Sequence, residues 1–257
     1  MRALAALLML AAAPAAATPA RVASLNLCSD ELVLALAAPG QLASVSRLGA
    51  DARETALAGR ARGLSINRGR ISDVVALRPD LVITMRADPA TLALARRLGF
   101  NLLSLPEPQT LADVKANIAR VAAVLGRQQA GAALIARITA VEASPPPARA
   151  ALLVSGGGNT LSADGLSARW LRLAGLAQQP LAAGQVNLER LLLEPPAVLL
   201  ISQYHAREAS GPQAWLAHPA LARLPASTRR LHTDGRPWTC GGPAMVDEVT
   251  RLRGLVR

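Results

Sequence analysis

Cys28 and Cys240 are the two cysteines of the sequence, and they offer three kinds of chemistry. Paired thiolates bind soft metals. Cys28 precedes a helix predicted to open at Ser29, and a thiol in that position can act as a nucleophile with a lowered pKa. In an exported chain, however, two cysteines most often form one disulfide. We rank the disulfide first, and it requires Cα atoms within about 7 Å of each other.

Histidine and serine side chains give weaker signals. His205 directly follows a predicted strand and is the histidine best placed for a ligand role, whereas His232 has no such context. A cysteine or serine hydrolase would use Cys28 or Ser155 with a histidine. The sequence has no Gly-x-Ser-x-Gly elbow and no His-Glu-x-x-His pair, so the hydrolase alternative rests on isolated residue types.

The cationic side chains are arginines with one exception, Lys115, and the formal net charge is +11. Nucleic acid is a common partner of such charge. The arginines are scattered along the chain without a basic tract, and aromatic residues make up only 2% of it. Together with the export signal described next, these features argue against nucleic acid as a partner. An acidic ligand and a simple composition bias both stay open.

The N-terminal residues have the order of a secretory signal. Arg2 is followed by an apolar stretch over residues 3–13 and by the small-residue triplet at 15–17. The apolar run is about half of the roughly 20 residues that a membrane-spanning helix needs. We therefore predict that residues 1–17 are a cleaved signal peptide and that the mature protein is periplasmic.

A repeated pattern indicates the elements that position these residues. In residues 71–83, a short helix is stopped by Pro79 and is followed at once by an apolar strand. Residues 188–201 repeat the same order of helix, proline and buried strand. Two copies so far apart indicate two similar lobes. A composition of 51% hydrophobic and 18% charged residues supports well-packed cores.

Helical sequence separates the two copies. Apolar residues at helical spacing run through 111–125, Gly126 interrupts them, and the spacing resumes over about 127–143. The predicted fold is α/β, with two α/β lobes that have central, mostly parallel sheets, a single long backbone helix joining them, and a ligand cleft between them. The expected parts are an N-terminal lobe, a helical connection and a C-terminal lobe, over residues 20–109, 110–147 and 148–257.

Several motifs, taken in order, resemble a known family. Residues 21–32 (RVASLNLCSDEL), residues 77–82 (LRPDLV) and residues 160–176 resemble successive segments of the helical-backbone metal-chelate receptors, which include cobalamin- and siderophore-binding proteins. The resemblance runs from about residue 20 to the end of the chain. It implies a monomeric, non-enzymatic periplasmic component of an ABC importer. The implied partners are a small-molecule metal chelate and a membrane permease, and no intrinsic cofactor is expected because the metal enters with the ligand.

The resemblance also implies a site. In this family the ligand lies in a shallow cleft lined by loops that follow strands. The matching residues here are Asn26, Cys28, Asn67, Arg68, Arg86, Tyr204, His205, Trp238 and Cys240. The guanidinium groups of Arg68 and Arg86 suit carboxylate, phosphate or catecholate oxygens. An acidic residue on each lobe docks the permease in the family. Glu189 matches one such position, and the other falls at Ser72, with Asp73 adjacent.

Two other ligands stay open within this architecture. Heme receptors share it, and the low aromatic content does not select one chelate. A receptor for a thiol-bound transition metal would require Cys28, His205 and Cys240 to converge within bonding distance of one ion.

Overall fold

The computed structural model describes residues 18–181, 184–206, 208 and 210–256. The expected signal peptide, residues 1–17, lies outside these described residues. Within the described part of the chain, no helix has both the length and the apolar character that crossing a membrane requires.

The first five strands form one parallel sheet. They are β1 (Val22–Ser24), β2 (Leu42–Ser46), β3 (Ser65–Asn67), β4 (Leu81–Met85) and β5 (Leu102–Leu105). Their spatial order is β3-β2-β1-β4-β5, and every neighbouring pair is parallel. The order reverses at β1, and such a switch point opens a crevice at the carboxyl ends of the strands. β1 is buried along its length, as expected for a central strand covered on both faces.

Three helices accompany this sheet, namely α1 (Leu27–Leu36), α2 (Ile71–Val74) and α3 (Pro89–Arg97). The sequence predicts that α1 opens at Ser29, but the helix begins earlier. Asn26 is the N-cap: its side chain accepts a hydrogen bond from the Ser29 amide, and the Ser29 hydroxyl accepts one from the Asn26 amide. This reciprocal capping fixes the entry to α1 next to the carboxyl end of β1.

Two consecutive helices connect the sheets in sequence. They are α4 (Leu111–Val124) and α5 (Gln128–Ala143), and the chain turns between them at Gly126, which has φ +67°. The predicted backbone helix over 127–143 is confirmed as α5 within one residue. α5 packs against α4 on one side and against the C-terminal helix on the other, and Ile138 is fully buried there.

The second sheet has four parallel strands. They are β6 (Arg149–Val154), β7 (Leu176–Gln178), β8 (Val198–Ser202) and β9 (Arg229–Thr233), in the spatial order β7-β6-β8-β9. Within the described residues, six α-helices accompany it: α6 (Leu166–Leu173), α7 (Leu188–Leu193), α8 (Gly211–Leu216), α9 (Pro219–Ala222), α10 (Arg236–Cys240) and α11 (Met245–Val256). The predicted α/β class with two mainly parallel sheets is therefore confirmed.

One apolar core runs through both halves of the molecule. A single cluster of buried side chains includes Val22 of the first sheet, Ile138 of α5, Leu153 of the second sheet and Val249 of α11. Trp170, also fully buried, belongs to this cluster. Because the sheets share this core, separating them would expose apolar surface.

Candidate ligand-binding site

Loops at the carboxyl ends of three first-sheet strands enclose a cavity of about 350 Å³. Leu25 and Asn26 line it after β1, residues 46–48 line it at the end of β2, and Arg68 and Gly69 line it after β3. We call this space the first-lobe cavity. It lies where a parallel sheet presents its loops, which is the usual place for a ligand in α/β folds.

The two predicted asparagines hold the walls of the first-lobe cavity. The Asn26 side-chain amide donates to the Met85 carbonyl at 2.7 Å, which ties the loop after β1 to the end of β4. Asn67 is buried, donates to the Ser24 carbonyl at 2.7 Å, and accepts from the Gly69 amide at 2.9 Å. Asn26 therefore borders the cavity, whereas the Asn67 side chain points inward and positions the loop that carries Arg68.

A second and larger cavity lies between the two halves of the molecule, with a volume of about 710 Å³. The first lobe contributes Ala52 and Arg53, and the second lobe contributes residues 203–206 after β8 and residues 232–236 around the end of β9. We call it the interlobe cavity. The loop over residues 47–54 links the two spaces, because its start lines the first-lobe cavity and its later part lines the interlobe cavity.

Tyr204, His205 and Glu54 connect the lobes at the edge of the interlobe cavity. The Tyr204 hydroxyl donates to Glu54 Oε2 at 2.5 Å, and His205 Nε2 lies 3.4 Å from Glu54 Oε1. Burial and the neighbouring Glu54 raise the pKa of Tyr204 to about 12, so its hydroxyl stays protonated at neutral pH. We call these three residues the Glu54 latch. Arg236 adds a further contact by donating to the Ala52 carbonyl at 2.8 Å.

Cys28 and Cys240 form a disulfide with a Cα–Cα distance of 5.3 Å. This is the pairing that the sequence analysis ranked first. It joins α1 of the first lobe to α10 of the second lobe. The readings in which Cys28 and Cys240 bind a metal as thiolates, or in which Cys28 acts as a nucleophile, are wrong for this structure because neither sulfur is a free thiol.

A buried carboxyl group lies close to this disulfide. Glu31 and Asn117 border the same small space as Cys28 and Cys240, and each has one buried side-chain oxygen without a hydrogen-bond partner among the described residues. The other Glu31 oxygen accepts from the Thr55 hydroxyl at 3.0 Å. Burial raises the pKa of Glu31 to about 7. Protonation of Glu31 would remove a negative charge that is buried at this site.

Two other predicted ligand contacts already have partners within the protein. Arg86 forms an ion pair with Glu107 at 2.8 Å, so part of its guanidinium is already engaged within the protein. The Trp238 indole packs against the main core and donates to the Thr233 hydroxyl at 2.7 Å. Neither residue lines the first-lobe or the interlobe cavity.

The two acidic residues expected to dock a permease are exposed at the starts of equivalent short helices. Glu189 lies in the first turn of α7, and Asp73 lies in the first turn of α2. Asp73 also accepts a hydrogen bond from the Arg68 amide at 2.8 Å, so it helps to fix the loop that borders the first-lobe cavity.

Sequence reasoning missed Arg47, Glu54 and His232. Arg47 immediately follows β2, as Arg68 follows β3, so its position after a strand is the signal that could have found it. His232 lines the interlobe cavity and its Nδ1 lies 2.7 Å from the Gln203 side-chain nitrogen. Glu54 meets its partners across 150 residues of sequence, and no local pattern marks such a contact.

The described residues contain no group of three or more histidine, cysteine, aspartate or glutamate side chains placed to hold a metal ion. The Ser155 hydroxyl is 3.3 Å from the Asn159 carbonyl, to which it donates. With Cys28 in a disulfide, the hydrolase alternative loses one of its two nucleophile candidates. The arrangement offers paired polar side chains around open cavities, which suits binding.

Three solved structures illustrate what this fold is similar to. A periplasmic heme-binding protein from Pseudomonas aeruginosa shares 23% identity over 92% of each chain, with a TM-score of 0.68. The periplasmic heme-binding protein BhuT, solved with two hemes, shares 23% identity over 91% of this chain and 96% of its own, with a TM-score of 0.69. The periplasmic vitamin B12-binding protein BtuF of Vibrio cholerae shares 20% identity over 92% and 96%, with a TM-score of 0.63.

No protein-family model matches the chain, and no curated protein matches it at a significant level. At these low identities, the solved structures show that this chain has the two-lobe fold of periplasmic binding proteins.

Proposed function

We propose that this protein is the periplasmic solute-binding component of an ABC importer, which captures a metal chelate between its lobes and delivers it to a membrane permease. One observation carries the proposal: the carboxyl-end loops of both sheets meet at a single boundary, where two cavities adjoin the loop over residues 47–54. Binding proteins need such a two-sided site, because each lobe then contributes contacts to one ligand.

The size of the site fits a small molecule. Small-molecule sites commonly have volumes of roughly 300 to 1,000 Å³, and the interlobe cavity measures about 710 Å³. The side chains around it include Tyr204, His205 and Arg53, so the lining is mixed and partly charged. A bulky chelate with polar groups at its edge is the ligand class that such a surface suits.

The ligand classes we propose are an iron–siderophore, cobalamin or heme. The similar structures support the last two, since they are heme-binding and vitamin B12-binding proteins. The metal arrives as part of the ligand, so the protein needs no metal ion of its own. A thiol-bound transition metal is not proposed, because both cysteines lie in the disulfide.

Delivery requires a surface for the permease. We assign this role to the exposed carboxylates of Glu189 and Asp73, which lie on the corresponding helices of the repeated helix–proline–strand pattern. Two similar acidic positions, one on each lobe, would fit a permease that presents two cationic sites. The proposal also includes export through residues 1–17 and a monomeric mature protein.

Native mass spectrometry of the protein purified from its own periplasm tests the function directly. The expected result is a monomer carrying one metal chelate, which accurate mass and metal analysis would identify. Isothermal titration with ferric siderophores, cyanocobalamin and hemin would then rank the three classes. A protein that arrives without a chelate and binds none of these ligands would contradict the proposal.

A further inference from the structure

The arginines around the two cavities differ in whether an acidic partner neutralises them. Three of them form ion pairs within the protein: Arg53 with Asp51 at 2.6 Å, Arg236 with Asp234 at 2.6 Å and Arg251 with Glu248 at 2.6 Å. Arg47 and Arg68 form no ion pair with any described residue, although both line the first-lobe cavity. These two guanidinium groups are available to a ligand.

Strand register brings these two arginines together. Ser46 and Asn67 are paired residues of the parallel strands β2 and β3, and Arg47 and Arg68 are the next residue on each strand. The Arg47 amide donates to the Asn67 carbonyl at 2.9 Å, which continues the pairing past the strand ends. Neighbouring strands lie about 5 Å apart. An anion bound by both guanidinium groups would offset the repulsion between their two positive charges.

The loop that carries Arg68 is held in place without a ligand. Asn67 anchors it through buried hydrogen bonds to the Ser24 carbonyl and the Ser44 hydroxyl, at 2.7 and 2.9 Å. Gly69 has φ +87°, and a side chain there would lie 2.9 Å from the Leu25 carbonyl. The turn therefore depends on glycine, and the backbone at Arg68 is held in place before anything binds. Such preorganisation lowers the entropy that binding has to offset.

An apolar surface adjoins the two charges. Leu48, which follows Arg47 directly, lines the same cavity and leaves 40% of its surface exposed. Leu25 lines the opposite wall. The cavity thus combines apolar side chains with two guanidinium groups, which is the pairing needed for a hydrophobic molecule that ends in an acid.

We propose that Arg47 and Arg68 form an anion clamp in the first-lobe cavity, which binds a carboxylate or phosphate group of the captured chelate. Guanidinium groups bind both kinds of acid through paired hydrogen bonds. The proposal rests on the proposed function and deepens it, because it makes the acid group of the ligand a determinant of specificity. Heme supplies such a group as two propionate carboxylates, and cobalamin supplies it as one phosphodiester.

Matched ligand pairs test the clamp and distinguish the two sources. Hemin is compared with hemin dimethyl ester, which lacks the free carboxylates, and cyanocobalamin is compared with dicyanocobinamide, which lacks the phosphodiester. For whichever pair binds, the wild-type protein should prefer the acid-bearing form by about tenfold or more. In an Arg47→Ala/Arg68→Ala double variant this preference should disappear, while the affinity for the acid-free form stays within about twofold.

Arg70→Ala and Arg62→Ala serve as controls, because each removes one positive charge, as each clamp substitution does. Both side chains are exposed, neither has an ion-pair partner among the described residues, and neither lines the cavity. A combined Arg62→Ala/Arg70→Ala variant should keep the preference for the acid. If it loses the preference as the double clamp variant does, diffuse electrostatics accounts for the effect and the clamp is wrong. Equal binding of acid-bearing and acid-free forms by the wild type would also overturn it.

A second experiment tests the clamp even if no chelate binds. Inorganic phosphate is titrated into isotopically labelled protein, and amide chemical shifts are followed by NMR. The expected shifts are concentrated at residues 47, 48, 68 and 69, and they vanish in the double clamp variant. Shifts spread evenly over the surface would overturn the clamp. Failure of every chelate, together with localised phosphate shifts, would instead contradict the proposed function and leave the anion site standing.

Discussion

The hydroxyl group of Tyr204 donates to the carboxylate of Glu54 at 2.5 Å, across the boundary between the two lobes. His205 contacts the same carboxylate, and its Nε2 is 3.4 Å from Glu54 Oε1. Loops of both lobes are therefore held together beside the interlobe cavity without a ligand. A ligand in this cavity would meet a site whose wall is already assembled.

Tyrosine ionisation reports directly on this contact, because Tyr204 is the one tyrosine of the sequence. We expect an ultraviolet pH titration of the folded protein to give a midpoint near 12, since burial and Glu54 raise the pKa of Tyr204 to about that value. In Glu54→Gln, the midpoint should move down toward the usual value of about 10. Circular dichroism at each pH confirms that the protein is folded. A wild-type midpoint at 10 would contradict the latch.

Glu31 predicts how stability depends on pH. Burial raises its pKa from 4.5 to about 7, so between these values the folded state holds a proton that the unfolded state has released. Its contribution to the free energy of unfolding is therefore greatest at low pH and decreases as the pH rises from about 4.5 through 7. A shift of this size corresponds to about 3 kcal/mol.

Urea denaturation at pH 5 and pH 8 measures this effect. Glu31→Gln removes the ionisation with little change in shape, so the variant should lose less stability than the wild type between the two pH values. Glu107→Gln serves as the control because Glu107 is an exposed acidic residue paired with Arg86. The same pH dependence in wild type and Glu31→Gln would show that Glu31 does not ionise in this range.

The disulfide should contribute substantially to stability, because it links residues that are 212 positions apart. Closing a long loop restricts the unfolded chain, and removing a native disulfide commonly costs about 2 to 5 kcal/mol. We expect dithiothreitol to lower the urea midpoint of the wild type. A Cys28→Ser/Cys240→Ser variant should already have the lower midpoint and should not respond to dithiothreitol. If dithiothreitol leaves the urea midpoint of the wild type unchanged, the disulfide does not make this contribution.

Gly235 is predicted to be essential for the packing of the Glu54 latch. A β-carbon at this position would lie 2.2 Å from Tyr204 Cβ and 2.5 Å from the Ser202 hydroxyl oxygen. Gly235→Ala should therefore destabilise the protein by about 1 to 3 kcal/mol and lower the tyrosine midpoint. Gly254→Ala is the matched control, since nothing lies within 4 Å of its β-carbon. An unchanged thermal midpoint in Gly235→Ala would contradict the predicted clash.

Glu189 should matter for delivery and not for capture. Glu189→Arg reverses an exposed charge at the start of α7, which lies outside both cavities. We expect weaker association with permease-containing vesicles and unchanged affinity for the chelate. Asp164→Arg makes the same charge change at another exposed position of the second lobe. The docking assignment fails if chelate affinity falls while permease association is unaffected, or if both variants lose association equally.

Local sequence patterns predicted much of the fold. The helix–proline–strand pattern of residues 71–83 and 188–201 corresponds to α2 with β4 and to α7 with β8, and α5 differs from its prediction by one residue. These elements have apolar residues at regular spacing and end at glycine, proline or polar residues, so their signals are contained in short windows. The start of α1 was predicted too late because Leu27 and Cys28 carry no start signal, whereas Asn26 does.

The site was harder to predict because side-chain partners lie far apart in sequence. Arg86 follows a strand as a ligand-binding residue should, but Glu107 neutralises it from 21 residues away. Trp238 was expected to face the ligand, and it packs against the core because Thr233 accepts its indole hydrogen. Strand ends can be inferred from local sequence, whereas the pairing of charges depends on how neighbouring loops meet.

The position of the disulfide in the chain also affects when it can form. Cys28 lies near the start of the described chain and Cys240 near its end. If the protein is exported N-terminus first, as proposed, Cys28 reaches the oxidising compartment before Cys240 does. Because the sequence has only these two cysteines, the early thiol has no incorrect partner within its own chain. Incorrect oxidation of Cys28 therefore requires a thiol from another molecule, and the native bond has to wait until Cys240 is in place.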